Sequence, residues 1–222
     1  MLAKAALGLG FLLAVLGAVL FGVAGTLDYW QAWTFLAVFG TCVLAVTIDL
    51  AVRDPALLAR RVKAGPLAER RRGQQVAQGI AQLAFLAVFV VAALDHRLVW
   101  SRVPDAIIVA GDAIVALGLA AVWRVFRANT FTAATIQVET EQHVVSTGPY
   151  GIVRHPMYAG AIAMLLGVPL ALGSWPALGA IPPLAAVIVW RLLDEERVLD
   201  AELAGYPAYR ANVRYRLVPF VW

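Results

Sequence analysis

Long uncharged runs dominate the chain. Ala5 to Leu27 is 23 residues without a charge, and a hydrocarbon core about 30 Å thick needs about 20 apolar residues as helix. This run predicts a first spanning helix, and Tyr29–Ile48 predicts a second. Only Asp28 separates them, so the two form a hairpin. A polar loop, Arg53–Arg72, interrupted by Pro55 and Gly65-Pro66, leads to a third span at Gly73–Leu94. The polar stretch Asp95–Asp105 leads to a fourth at Ala106–Trp123. Met157–Trp190 then runs 34 residues without a charge, too long for one span. Gly173-Ser174-Trp175-Pro176 divides it into two helices of about 15–16 residues, each about 24 Å long at 1.5 Å per residue. They read as a second hairpin, with Pro182-Pro183 expected to kink its second arm. In the tail, Tyr206, Tyr209 and Val213 recur at helical spacing among Arg210, Arg214 and Arg216. That suits a short helix in the headgroup layer.

The expected fold class is therefore all-α, a polytopic membrane protein with about six transmembrane helices. Composition agrees: 62% hydrophobic and 14% charged residues, against about 45–50% and about 25% in soluble chains. The first run is too long for a signal-peptide core of about 7–15 residues, so a retained span is expected. The net charge of +4 is unevenly placed. Arg53, Arg60, Arg61, Lys63, Arg70, Arg71 and Arg72 crowd one loop, the mark of a cytoplasmic loop beside anionic lipid. Membrane lipids, not nucleic acid, are the expected partners, and a cell-membrane location follows. Cys42 is the single cysteine, which excludes an intramolecular disulfide and a multi-cysteine metal site. No metal is expected. Residues 1–125 are read as four N-terminal spans, and 126–222 as loop, hairpin and tail.

The candidate chemistry clusters at 142–160 and 191–216, the two feet of the last hairpin. Counting spans puts both on the cytoplasmic side, where they form one polar pocket. The stretch leading into the first cluster holds Arg124, Arg127, Asn129, Glu139 and Glu141, and Thr147-Gly148-Pro149 marks a turn. Taken singly, each cluster has a plain explanation. Arg154-His155 can anchor a span whose first residue is Pro156. Arg191 and Glu195, four apart, can pair on a solvated helix end.

Their order and spacing carry more. Gly148-Pro149-Tyr150, Arg154-His155-Pro156, Tyr158 and Gly160, then a hydrophobic hairpin, then Arg191 and Glu196, then Tyr206 and Tyr209, resemble the isoprenylcysteine carboxyl methyltransferase-like membrane methyltransferases. The resemblance covers His143 to Trp222, about a third of the chain. It implies a pocket for S-adenosylmethionine contacted by His143, Val145, Gly148, Tyr150, Arg154, His155, Pro156, Tyr158 and Gly160, with Glu195 and Glu196 as the family's acidic pair. A carboxylate can take the ribose hydroxyls or the methionyl ammonium, and Arg154 or His155 the methionyl carboxylate. Tyr150 or Tyr158 can pack on adenine. As catalytic residues, Arg191 would hold an acceptor carboxylate and Glu196 would take a proton. Five residues are about 140° out of register on a straight helix, so both reach one pocket only if the helix ends or unwinds near Asp194.

The implied reaction is methyl transfer to a lipophilic acceptor bearing a carboxylate, thiol, phenol or amine. Two alternatives stand beside it. The tail Tyr206–Pro219 is also similar to that of membrane sterol reductases, which bind NADPH, although Asp194-Glu195-Glu196 suits a cationic cofactor better. A non-catalytic lipid-binding protein is the other. Two further expectations concern the spans. Asp112, inside the fourth, is a functional candidate by position, and its distance from the clusters favours a structural role. The small residues Ala161, Ala163 and Gly167 leave either a lateral passage for an acceptor chain or a tight helix contact.

Overall fold

The computed structural model describes residues 2–62, 72–132 and 143–222. Their regular structure is entirely helical: α1 (Leu2–Ala24), α2 (Trp30–Arg53), α3 (Pro55–Val62), α4 (Arg72–Leu98), α5 (Asp105–Ala128), α6 (Pro156–Ala171), α7 (Ile181–Glu202) and α8 (Tyr206–Asn212). Short 3-10 turns occupy Gly148–Gly151 and Pro176–Ala180. Helices α1, α2, α4 and α5, and α7 with its preceding turn, are long and apolar enough to cross a membrane, and α6 is a shorter apolar helix. The chain is a multi-pass, all-α membrane protein. Lys63, Arg70, Arg71, Glu139 and Glu141 lie outside the described residues.

The spans run past the limits set by their apolar runs, because a helix does not stop where the hydrocarbon does. In α2, Arg53 Nε donates to Asp49 Oδ1 at 2.7 Å, one turn back, and carries the helix to Arg53. The second hairpin arm also differs from expectation. Pro182 and Pro183 lie in the first turn of α7, where a missing N–H costs nothing, and no kink forms; α7 is continuous from Ile181 to Glu202.

Side chains sort by solvent. On α1 only Leu16, Leu20 and Ala24 are buried, while Leu7 and Phe11 are 74% exposed, as expected of a helix apolar all round with lipid as its neighbour. The core lies among α1, α2, α4, α6 and α7, where Phe35 and Phe89 meet at 5.7 Å between ring centroids. At the end of the bundle away from the polar clusters, Tyr29 stacks on His96 and donates to the Leu172 carbonyl at 2.8 Å. Asp95 accepts from Ser101 N and Oγ at 2.7 and 2.6 Å. These bonds tie the loops of that end together.

The closest helix contact is the antiparallel pair α5–α6, built on Gly111 and Gly118 facing Gly160 and Gly167. A Cβ on Gly118 would stand 2.6 Å from Met164 N and 2.8 Å from Gly160 O; one on Gly167 would stand 2.8 Å from Gly111 O. Backbone meets backbone along this seam, the usual use of small residues between membrane helices. Of the two readings of Gly167, the tight helix contact is the one observed, with α5 against it. Asp112, next to Gly111, is buried and shares a hydrogen bond with Thr34 of α2, far along α5 from the polar clusters.

Helix α3 folds back onto the opposite end. Asp54 caps it, accepting from Leu57 N at 2.8 Å. Leu57 and Leu58 are buried with Leu50 and Phe126, and Arg60 donates to the Thr130 carbonyl.

Replacing Gly118 with alanine puts a methyl group against backbone that no rotamer change can relieve. A cost of about 1–3 kcal/mol is expected, read as a lower thermal midpoint in detergent. Gly79→Ala, where nothing lies within 4 Å, should not lower the midpoint.

Candidate active site

The polar end of the bundle is organised by one carboxylate. Glu196, on α7, is 4% exposed. Its Oε1 accepts from Arg154 Nε at 2.7 Å and lies 3.2 Å from His155 Nε2, while Oε2 accepts from Arg216 Nε at 2.9 Å. Arg154 and His155 are themselves buried. The tail is laced to the same residues by its backbone: Arg154 N donates to Tyr215 O at 2.8 Å and His155 N to Arg216 O at 2.9 Å. Arg154 Nη1 adds bonds to the carbonyls of Val213 and Arg214. Two guanidinium groups share one carboxylate, so this wall carries a net positive charge.

A second layer holds the aromatics. Gly148 takes φ +60°, a left-handed value that glycine adopts freely, and starts the 3-10 turn that presents Tyr150. The Tyr150 hydroxyl accepts from Asn129 Nδ2 at 3.2 Å, and its carbonyl accepts from Tyr209 Oη at 2.8 Å. Burial pushes the Tyr150 phenol up to about 12, against the Asn129 bond and with help from the Glu195 charge. Burial likewise raises Tyr206 and Tyr209, so all three stay neutral donors near pH 7.

Between these layers lies a cleft, open on one side. His143, Val145, Tyr150, Arg154, His155, Pro156, Tyr158 and Glu195 line it. Gly148, Gly160, Arg191 and Glu196 do not. Gly160 is turned to α5, where an added Cβ would stand 3.1 Å from Gly118 O. The helix does not unwind near Asp194, so the acidic pair splits: Glu195 faces the cleft and Glu196, about 100° further round, faces the interior. Arg191 shares the Glu195 side and reaches α4, where its Nη1 donates to Gln74 Oε1 at 3.2 Å while Gln74 Nε2 donates to Asp194. Tyr158 stands between Arg191 and Glu195, donating to Glu195 Oε2 at 2.7 Å and accepting from Arg191. Arg191 and Glu196 are not brought together.

The cleft thus has a cationic wall at Arg154, with the His155 imidazole beside it, and an anionic one at Glu195, with Phe131, Tyr150, Tyr206 and Tyr209 between them. The buried Tyr206 hydroxyl has no partner among the described residues. A ligand with a zwitterionic end and a flat ring matches this set.

Residues 106–203 match the family model described as phospholipid methyltransferase. That family belongs to the isoprenylcysteine carboxyl methyltransferase-like group of integral membrane methyltransferases, and the resemblance seen in the motifs holds. No curated protein matches the chain. The matched segment starts with α5 and ends just past α7, so it contains the glycine seam, the hairpin and Glu195–Glu196. Tyr206, Tyr209 and Arg216 lie beyond it.

Sequence reasoning missed the parts played by Asn129, Gln74 and Arg216. Asn129 follows directly on a span, and Arg216 is one of several tail arginines; nothing local to either marks its partner.

Glu196→Gln leaves the buried Arg154 guanidinium and the half-buried Arg216 guanidinium facing a neutral amide. Breaking a buried pair costs about 3–5 kcal/mol, so this variant should unfold at markedly lower temperature in detergent than wild type. Arg216→Gln should cost less, because Arg216 is 30% exposed and Arg154 remains on the carboxylate. Equal midpoints for the two variants would contradict the central place given to Glu196.

Proposed function

We propose that the chain transfers a methyl group from S-adenosylmethionine to a lipophilic acceptor at the membrane interface, through a carboxylate, thiol, phenol or amine of that acceptor. The observation that carries this is the cleft whose two walls of opposite charge, Arg154 and Glu195, lie inside the segment matching a methyltransferase family. When bound, the donor supplies a methyl group on a sulfonium, open to in-line displacement without a metal. The residues present suit it. Glu195 takes the methionyl ammonium or the ribose hydroxyls; Arg154, whose Nη2 is not used by Glu196 or the tail carbonyls, takes the methionyl carboxylate with His155 beside it. Tyr150, Tyr158 and Tyr206 pack on the ring or bond to its edge, with His143, Val145 and Pro156 completing the walls.

The chain's main catalytic contribution in this proposal is alignment. Arg191, held by Gln74 and Tyr158, positions the acceptor. Glu196 acts by holding Arg154, His155 and Arg216, and Gly148 and Gly160 act by placing the turn and α6. Residues 126–222, resting on α5, form the proposed catalytic unit, and 1–125 the supporting spans.

Orientation follows from charge. Arg60 of α3 binds the Thr130 carbonyl and Arg61 contacts Met157, so the basic loop and the cleft share one end of the bundle. Densely basic loops lie inside, which supports a cytoplasmic cleft in the cell membrane.

Two measurements test the proposal. Glu195→Gln removes a charge-assisted bond worth about 1.5–3 kcal/mol, so calorimetry should show S-adenosylmethionine bound about 10–150-fold more weakly, with the fold intact. NADPH should not bind wild type, and tight NADPH binding would favour a reductase. For orientation, reporter fusions at residues 66 and 222 should be active only with a cytoplasmic reporter. A periplasmic reporter working at 66 would reverse the topology.

A further inference from the structure

Helices α2 and α5 enclose a second cavity, apart from the cleft. Ala45 of α2 and Ala116 and Ala120 of α5 line it with nothing larger than a methyl group, and Val46 and Leu119 add apolar surface. It shares no lining residue with the cleft. Ala116 and Ala120 each stand two residues, about 200° of helical turn, from Gly118. Since Gly118 faces α6, this groove opens on the opposite side of α5. Leu44, Ile48 and Leu117 beside it are exposed, so it faces the bilayer.

The groove is apolar along its length and polar at one end. Cys42 to Asp49 on α2, and Ala116 to Trp123 on α5, are steps of seven residues, about 10 Å of helix. At the end nearer the cleft, Trp123 Nε1 donates to Asp49 Oδ2 at 2.9 Å and joins the two helices. Tryptophan is enriched at the depth of the lipid headgroups. One turn further on, Arg53 Nε donates to Asp49 Oδ1 at 2.7 Å. The Arg127 guanidinium lies over the Trp123 ring, 5.1 Å from its centroid. Both arginines are exposed. Each oxygen of Asp49 is thus engaged, and two cations meet one anion at the mouth, which leaves a net charge of +1.

An apolar slot that ends in positive charge at headgroup depth has the layout of a phospholipid, and guanidinium forks suit phosphate oxygens. A second copy of this chain suits the groove less well. Related by a two-fold axis along the bilayer normal, it would bring its own Arg53 and Arg127 to the same depth. Four guanidinium groups would then crowd two carboxylates.

We propose that the α2–α5 groove holds one acyl chain of a resident anionic phospholipid, with its headgroup phosphate at Arg53 and Arg127. This lipid is a fixture of the fold and not a substrate. It lies across α5 from the cleft, and the proposal stands apart from the methyltransferase reading.

The probe is dioleoyl phosphatidylglycerol, with dioleoyl phosphatidylcholine as its zwitterionic counterpart. Each is added to the full-length protein in neutral detergent, and bound lipid is counted by native mass spectrometry. Wild type should retain one phosphatidylglycerol per chain, preferred over phosphatidylcholine by about fivefold or more, the worth of one net charge at a membrane surface. Ala120→Phe fills the groove from an exposed position and should lose that lipid. Arg127→Gln should still bind lipid but without the preference. Equal retention of the two lipids by wild type, or a preference that survives Arg127→Gln, overturns the anionic head. Undiminished retention by Ala120→Phe overturns the groove, and a lipid-free wild-type dimer replaces the lipid with a second copy. One readout needs no variant, because Cys42, the single cysteine, lines the groove. Phosphatidylglycerol should slow its alkylation by N-ethylmaleimide about fivefold relative to phosphatidylcholine, and equal rates would again overturn the site.

Discussion

The functional end of this protein depends on the Glu196 carboxylate. Arg154 and His155, before α6, and Arg216, in the tail, come from two separate stretches of chain, and this carboxylate on α7 joins their side chains. Its three bonds fix the foot of α6 to α7 and fix the tail to both. They also leave a net positive charge behind the Arg154 wall, since one carboxylate cannot neutralise two guanidinium groups. The next residue back, Glu195, is turned by a single helical step toward the open side. Adjacent glutamates on one continuous helix therefore differ in surroundings, one bonded in the interior and one facing the cleft.

This arrangement needs α6 to be steady, and α5 provides that. Glycine seams leave no side chains to rearrange between two helices, so the position of Pro156 follows from the backbone path of α5. Asn129, where α5 ends, then reaches Tyr150 directly. Matched residues 106–203 coincide with this assembly, whereas α1, α2 and α4 lend the core its aromatic packing and, through Gln74, one support for Arg191.

Much of this was legible in the sequence, for a physical reason. Lipid demands long apolar helices, and such runs are visible without any knowledge of their neighbours. The turn at Gly148 and the helix start at Pro156 are equally local. What failed to show was direction. Gly160 and Gly167 read as space for a ligand or a chain until their partner, α5, was known. Pro182 and Pro183 read as a kink because a preceding 3-10 turn, which makes them the first turn of α7, leaves little trace in composition. Glu196 read as a base beside Arg191, and only a helix uninterrupted past Asp194 sends the two apart. Arg61 was counted as one more charge in a basic loop; its burial depends on α3 folding back onto Phe126.

Helix α6 has a consequence for the membrane itself. Its 16 residues make a rod of about 24 Å, against a hydrocarbon thickness of about 30 Å, while α4 beside it has 27 residues. A short helix locked to longer ones cannot tilt to adjust. The bilayer must thin around it or let water in at its ends. Pro156, where α6 starts, also lines the cleft, so one end of this mismatch in length falls at the cleft's edge.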